Sequence, residues 1–261
     1  MGEKMEQNFT FFNRWVLKNV GIDLNNYKER QMQRRITNIM NSAGAKTVED
    51  YARILEKDRD AYNAFVKHIT INVTDFFRNK EIFEIFEKCF MQNVVPKFDH
   101  IKIWSAACST GAEPYSLAMI LNKNNVRNTN ILATDIDETI LARARKGQYT
   151  KAELTNVSPA DLLKYFSELG PDKYVAKNEI KKYVSFEKQD LLGTQYPHNM
   201  QVIVCRNVTI YFKLEARDEV YRKFSEALSQ GGLLFTGATE TINEPSKFNL
   251  EKVDTFIYRK I

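Results

Sequence analysis

IKIWSAACSTGAEPYSLAMIL, residues 101–121, decides the fold. It reads as a buried strand from Ile101 to Ala106, a small-residue turn from Ala107 to Gly111, and a helix entered through Glu113-Pro114. Proline suits the first turn of a helix, where its missing N–H is no loss. An apolar strand that breaks at small residues and enters a helix is how α/β folds build a nucleotide pocket. Only Gly111 stands where a dinucleotide fingerprint wants three glycines, so a pocket for a ligand without phosphates is expected over a pyrophosphate cradle. Taken alone, the stretch is equally well an ordinary strand–loop–helix of an α/β core.

Downstream, Asn130 to Ala133 is a second strand ending in Thr134-Asp135-Ile136-Asp137. An acidic residue at the carboxyl end of the second strand is where such folds hold the ribose hydroxyls of a nucleoside. Asp135 follows Gly111 by 24 residues, near the roughly 20 of the dinucleotide-binding pattern. Its competing role is to cap the helix from Glu138 to Lys146, which suits Asp137 better. Strand-to-loop endings recur where Tyr183–Glu187 runs into Gln189-Asp190-Leu191-Leu192 and where Gln201–Cys205 runs into Arg206-Asn207-Val208-Thr209-Ile210-Tyr211-Phe212. A third is Gly232–Phe235, which runs into Thr236-Gly237-Ala238. Before it lies a helix with Val220, Phe224 and Leu228 inward and Gly231-Gly232 as its stop. Parallel strands deliver functional residues at their carboxyl ends, so Asp135, Asp190 and Arg206-Asn207 should line one crevice. Residues 171–186 read as short strands around a turn, and Val253–Tyr258 as a last strand.

Upstream, residues 1–71 read as helices only. Phe11, Phe12, Trp15 and Val16 form an apolar face ending at Gly21. A helix from Tyr27 to Ala43 carries Met32, Ile36, Ile39 and Met40 on one side. Arg30 and Arg34 point the other way, with Lys28 and Arg35 near the edge of the apolar stripe. Thr47 and Asp50 resemble a capping box, and Tyr62, Phe65 and Ile69 mark a fourth helix. Residues 1–72 hold 12 Lys+Arg against 9 Asp+Glu, a balance of +3. Arg30 and Arg34 are then either a solvated face or a landing face for an acidic helical partner. The composition changes at Asn72, where Asn72-Val73-Thr74-Asp75-Phe76-Phe77-Arg78 leads into a helix from Lys80 to Gln92. If that helix includes Thr74 and Arg78 they share a face, although an N-cap threonine and a surface arginine would also explain the pair.

With 261 residues, 43% hydrophobic and 27% charged, the composition is that of a globular protein with a substantial core. No apolar run is long enough for a bilayer, and MGEKMEQNFT lacks the layout of a secretion signal. Three scattered cysteines suit a reducing cytoplasm, and three isolated histidines without CxxC or HExxH predict no metal site. A net charge of +5 mildly favours acidic partners without singling out nucleic acid.

Together these residues resemble the chemotaxis receptor methyltransferases of the CheR family. The similarity runs over nearly the whole chain through NVTDFFR (72–78), IWSAACSTGAEPYSLAM (103–119), ATDID (133–137) and VCRNVTIYF (204–212). It implies an α/β fold: a class I SAM-dependent (Rossmann-like) methyltransferase sheet over residues 72–261. The resemblance also implies a small antiparallel β-subdomain at 171–186, preceded by an all-α receptor-recognition domain at 1–71. The implied cofactor is S-adenosylmethionine, leaving as S-adenosylhomocysteine, and the implied reaction is O-methylation of glutamate side chains on cytoplasmic receptor helices. By resemblance, Asn72, Thr74 and Arg78 reach the cofactor, and Glu113 lies beside its ammonium. Asp135 is implied on the ribose, Asp190-Leu191 near the adenine (where the family usually has Asn-Leu), and Arg206-Asn207 as the family's Arg-Asn pair. Tyr211 is implied near the transferred methyl, and the chemistry adds the expectation that Arg78 orients the carboxylate while Tyr211 shapes the methyl channel, the two catalytic residues. The receptor partner would be held through Lys28, Arg30, Arg34 and Arg35, with no nucleic acid and no direct membrane insertion expected. Some members dock a receptor's C-terminal pentapeptide on the β-subdomain. The turn at Gly170-Pro171-Asp172 looks compact, so independence from such a tether is expected here.

The chemistry suits these residues. A glutamate with a pKa of ~4.3 is already a carboxylate, so no general base is needed and no poised histidine is expected. A nucleic-acid methyltransferase is disfavoured because the fourth strand ends in CRNVTIYF, not in an Asn/Asp-Pro-Pro-aromatic loop, and no aromatic-basic stacking platform is evident. A nicotinamide dehydrogenase lacks its glycine fingerprint. A non-catalytic receptor-binding protein is the rival that only activity excludes.

Overall fold

The computed structural model describes residues 7–261. The expectation that MGEKMEQNFT, residues 1–10, is no secretion signal lies in part outside them. By internal contacts the chain divides into two units, Met1–Asn72 with Tyr211–Arg217, and Val73–Ile210 with Asp218–Ile261. The expected division between residues 71 and 72 differs from this grouping at Asn72 and in the segment Tyr211–Arg217.

The first unit is helical. Helix α1 (Phe9–Val20) is capped by the Asn8 side chain, which accepts from Phe11 N, and stopped by Gly21 at φ +82°, whose N–H returns to Val16 and Leu17. Helix α2 spans Glu29–Ser42 with Met32, Ile36 and Met40 buried. Helix α3 (Val48–Lys57) starts at Thr47, whose hydroxyl accepts from Asp50 N at 3.1 Å, so the expected cap is present. Helix α4 is Arg59–Thr70, capped by Asp58. The unit's core is aromatic: the ring of Phe12 meets Trp15, Tyr51 and Phe65 at centroid distances of 5.8, 6.0 and 5.6 Å. Each ring so buried contributes roughly 1.5–3 kcal/mol.

The second unit is α/β. Its strands are β1 (Ile101–Ala106), β2 (Thr129–Asp135), β3 (Gln148–Thr150), β4 (Phe166–Gly170) and β5 (Lys173–Ala176). They continue with β6 (Val184–Lys188), β7 (Met200–Cys205), β8 (Leu228–Thr236), β9 (Leu250–Asp254) and β10 (Ile257–Lys260). The intervening helices are α5 (Lys80–Asn93), α6 (Ala112–Lys123), α7 (Glu138–Lys146), α8 (Pro159–Tyr165), α9 (Asn178–Lys181) and α10 (Leu214–Ala227). Seven strands form the main sheet in the order β6-β2-β1-β7-β8-β10-β9, parallel from β6 to β8 and antiparallel beyond. Strand β7 is buried at every position, as a strand covered on both faces must be. The chain leaves β1 toward β2 on one side and returns from β6 to β7 on the other, so the strand order reverses at the carboxyl end of β1. That crevice is where α/β sheets bind ligands.

Four expectations are corrected. The small antiparallel sheet is not confined to residues 171–186. It is three-stranded, in the order β3-β5-β4, and β6 instead pairs in parallel with β2 in the main sheet. Leu228 opens β8 and is not the end of a helix, because α10 stops at Ala227 and Gly231-Gly232 lie within the strand. The closing strand is a hairpin of β9 and β10, with Phe256 in its turn at φ +60°. Thr74 and Arg78 share no helix face. Both precede α5 in an irregular stretch where Phe77 and Asn79 take φ of +47° and +59°.

Among the described residues no helix is long and apolar enough to cross a membrane, and no group of three or more His, Cys, Asp or Glu could hold a metal ion.

Candidate active site

The site is built at the carboxyl ends of β1, β2, β6, β7 and β8. After β1 the chain turns through Ala107 and Ser109, both non-glycine residues in the left-handed region (φ +63° and +50°), and Gly111 at +86°. Each such non-glycine residue costs roughly 1–3 kcal/mol and persists where its surroundings hold it. Here Cys108 N donates to Thr134 O at 2.8 Å, and Ser109 N to Asp135 Oδ2 at 2.8 Å. A Cβ on Gly111 would meet Ala144 Cβ at 3.1 Å and the Tyr149 hydroxyl at 3.2 Å, so the turn has room for glycine only. The Tyr149 hydroxyl, on β3, donates to Thr110 O at 2.8 Å and ties the small sheet to this turn.

Asp135 ends β2 and is buried. Its Oδ1 accepts from Asp137 N at 3.1 Å, whereas Asp137 caps α7 through Thr139 N and Ile140 N. Helix capping therefore falls to Asp137. Burial raises Asp135 from an ordinary 3.8 to about 6, against the lowering effect of the Asp137 and Ser109 N–H bonds. Asp135 O also accepts from Gln189 N at 2.9 Å, which places the turn after β6 beside the end of β2. In that turn the Asp190 carboxylate accepts from Leu192 N at 2.8 Å. Leu191 is buried, and its carbonyl accepts from the Tyr196 hydroxyl at 2.5 Å.

Arg206 follows β7 and is buried between the rings of Phe83 and Phe235, 4.8 Å from each centroid. Stacking of this kind suits the weakly hydrated guanidinium. Its NH2 donates to Arg78 O at 2.7 Å, and its NH1 lies 3.8 Å from Glu113 Oε2. That last distance is Coulomb contact without a hydrogen bond. Glu113, in the first turn of α6, accepts from the Ser105 hydroxyl at 2.8 Å. Burial pushes Glu113 up from the ordinary carboxylate value, opposed by Arg206 and Ser105. The Arg78 side chain donates to Val73 O at 3.1 Å. Thr74 is half-buried in the same stretch.

The structure thus joins Arg78, Glu113 and Arg206 in one cluster and Asp135 with the Asp190-Leu191 turn in another. Asn72 and Tyr211 group with the helical unit. There Asn72 Nδ2 donates to Thr70 Oγ1 at 3.0 Å, and Tyr211 O accepts from Lys28 N at 2.9 Å.

Two site features escaped the sequence reading. Ser109 supplies the N–H that orients Asp135. Glu240, buried beyond β8, accepts from the loop after β7. The available signal was an acid shortly beyond the carboxyl end of a strand, the kind of place that singled out Asp135. Cys108 and Cys205 are buried, and burial pushes both thiols well up, away from nucleophilic use. A groove of about 510 Å³ lined by Phe83, Met119, Val157 and Pro159 contains none of the expected site residues.

The donor set fits S-adenosylmethionine. Ser109 Oγ, Arg206 Nε and Asn207 Oδ1 are buried without a hydrogen-bond partner among the described residues, and polar ligand groups would satisfy them. Two buried carboxylates match an ammonium and a vicinal diol.

Family models and curated relatives agree. Residues 72–257 match the family model described as CheR methyltransferase, SAM binding domain, and residues 7–70 match CheR methyltransferase, all-alpha domain. The "Chemotaxis protein methyltransferase" of Listeria innocua is 37% identical over 262 residues, covering 98% of each chain. That of Escherichia coli is 32% identical, covering 91% of this chain and 85% of its own. Among solved structures, the glycopeptide N-methyltransferase MtfA complexed with S-adenosylmethionine superposes with a TM-score of 0.38 at 13% identity, covering 62% of this chain and 50% of that one.

Proposed function

The chain belongs to the CheR family of chemotaxis methyltransferases, and from that premise we propose that it esterifies glutamate side chains on the cytoplasmic helices of chemoreceptors. The same proposal puts the protein in the cytoplasm. S-adenosylmethionine is the cofactor, and when bound it supplies an electrophilic sulfonium methyl.

One observation carries the choice of a carboxylate acceptor: no histidine belongs to the strand-end site. Among the described residues, His68 is in α4, while His100 and His198 precede the amino ends of β1 and β7, at the opposite edge of the sheet. A carboxylate needs no proton removed before it attacks, so such a site suffices for esterification. The protein's work is then to position and to exclude water. Asp135 and the Asp190-Leu191 turn hold the nucleoside. Glu113, at Coulomb distance from Arg206, keeps lone pairs on Oε2 for the ammonium. Thr74, Asn72, Arg206 and Asn207 complete the cofactor contacts, Arg78 orients the incoming carboxylate, and Tyr211 shapes the methyl channel.

The deciding assay is transfer from methyl-labelled S-adenosylmethionine to a receptor cytoplasmic fragment, followed by mild base. Label should leave as volatile methanol. Label that resists base would mean N-methylation and overturn the proposal.

For the receptor contact, Lys28, Arg30 and Arg34 are exposed, while Arg35 is half-buried with its guanidinium on the carbonyl of His68. The docking face is therefore best assigned to the first three, with Arg35 fastening α2 to α4. Reversing Arg30 and Arg34 to Glu should lower receptor methylation roughly ten-fold or more at low salt and flatten its salt dependence, since rim charges act mainly on association. S-adenosylhomocysteine affinity, read by calorimetry, should not change. Wild-type methylation rates at low salt would remove the arginines from the receptor face.

A further inference from the structure

Glu240 makes no ordinary surface pair. It lies in the turn after β8, where Glu240 N donates to Gly237 O at 2.9 Å, and the residue is 4% exposed. The carboxylate is held by five hydrogen-bond donors, none of them a basic side chain. Oε1 accepts from Val208 N at 2.9 Å, Thr209 N at 2.7 Å and the Thr209 hydroxyl at 2.9 Å. Oε2 accepts from Asn207 N at 2.5 Å and Gly237 N at 2.9 Å. One side chain thus collects three consecutive amides of the loop after β7 and fastens them to the end of β8. Gly237 has no side chain for a reason: a Cβ there would collide with Glu240 Oε2 and come within 2.8 Å of Asn207 N.

The clamped backbone is not at rest. Asn207 sits at φ +61°, a left-handed conformation that asparagine tolerates better than most residues but does not prefer. In that conformation its Oδ1 is buried with no hydrogen-bond partner among the described residues. Arg206, the preceding residue, feels the negative charge of Glu240 as well as that of Glu113. A carboxylate with two oxygens and several lone pairs can accept all five donors. An amide cannot, because its nitrogen would face two N–H groups.

We infer that Glu240 is a positioning residue for cofactor binding, fixing the Arg206–Thr209 loop so that Asn207 presents its side-chain oxygen to the ligand. Glu240 acts through the loop and not on the reacting atoms. The inference rests on Asn207 touching the cofactor and is independent of which side chain is methylated.

The test uses the full chain with S-adenosylhomocysteine as the probe. In Glu240→Gln, amide hydrogen exchange at residues 207–209 should quicken roughly ten-fold or more, while β1 and β7 keep their protection. Calorimetric affinity should fall roughly ten-fold and the KM for S-adenosylmethionine should rise to match, with turnover at saturation little changed. Faster loop exchange with affinity and KM unchanged would overturn the inference, as would unchanged loop exchange. Asn207→Ala separates the premise from the inference. Wild-type affinity there defeats the cofactor contact itself, whereas weak binding by Asn207→Ala beside normal binding by Glu240→Gln defeats only the role of Glu240. Should Glu240→Gln not fold, Thr209→Val removes one donor and keeps the carboxylate. It should give a smaller loss of the same kind, and wild-type loop exchange and affinity in it would equally overturn the inference.

Discussion

Replacing Asp135 by Asn should weaken S-adenosylhomocysteine binding by roughly ten- to a hundred-fold while leaving the melting temperature at pH 8 unchanged or higher. Function and stability separate here because the carboxylate is buried. Ser109 N and Asp137 N take one lone pair on each oxygen, which leaves the outer lone pairs for a vicinal diol. Charge-assisted bonds of that kind contribute ~1.5–3 kcal/mol each, and an amide can accept with one atom only. In the ligand-free protein the same charge is a burden. Burial raises its pKa from 3.8 to about 6, which corresponds to ~3 kcal/mol of penalty on the ionised form. The sign follows from proton binding. Between pH 4 and 6 the folded state holds a proton that the unfolded chain has released, so this group's favourable contribution is full below about 4 and is lost as pH rises through about 6. Asparagine escapes that loss, although its amide meets one of the two N–H donors unfavourably, at ~1–3 kcal/mol. The variant should therefore compare best with wild type above pH 6 and worst near pH 4. Wild-type cofactor affinity should fall as pH drops below about 6, and the variant's should not. Calorimetry and thermal melts across pH 4–8 decide it; unchanged affinity in the variant would take Asp135 off the ribose.

Arg78→Ala should reduce turnover by roughly a hundred-fold or more and change S-adenosylhomocysteine affinity by far less. The loop is secured by the main-chain carbonyl of Arg78, which accepts from Arg206 at 2.7 Å and survives the substitution. The side chain donates to Val73 O at 3.1 Å in an exposed hydrogen bond, so folding should tolerate its loss. What is removed is a fork of donors beside the Glu113–Arg206 pair. Its charge reaches both partners, lowering the pKa of each. Methyl transfer brings together an anionic oxygen and a cationic sulfur, so the barrier depends on holding the acceptor carboxylate in line. Arg78→Lys, a point charge in place of a bidentate fork, should recover part of the rate. Single-turnover methylation at saturating S-adenosylmethionine, paired with calorimetry, distinguishes the outcomes. An affinity loss equal to the rate loss would make Arg78 a cofactor ligand without a part in orientation.

What the sequence determined by itself was local or motif-borne. Residues 101–121 form the strand, turn and helix that place the site, and the caps at Gly21, Thr47 and Asp137 stand where their residue types require. Such features depend on neighbours within about four positions, so a linear reading can find them. The tertiary structure decided which partner each strand and long side chain takes. Val184–Lys188 has the length of a subdomain strand, but the edge of β2 claims it. The periodicity of α10 continues to Leu228, yet pairing with Met200 on β7 draws that residue into β8. Arg35 lies beside the exposed stripe of α2, and only the His68 carbonyl across on α4, 33 residues on, shows that it faces inward. Glu240 was silent for the same reason, since the amides it gathers lie 31 to 33 residues earlier. Burial makes these long-range hydrogen bonds obligatory: a carboxylate or carbonyl removed from water must find donors wherever the fold supplies them.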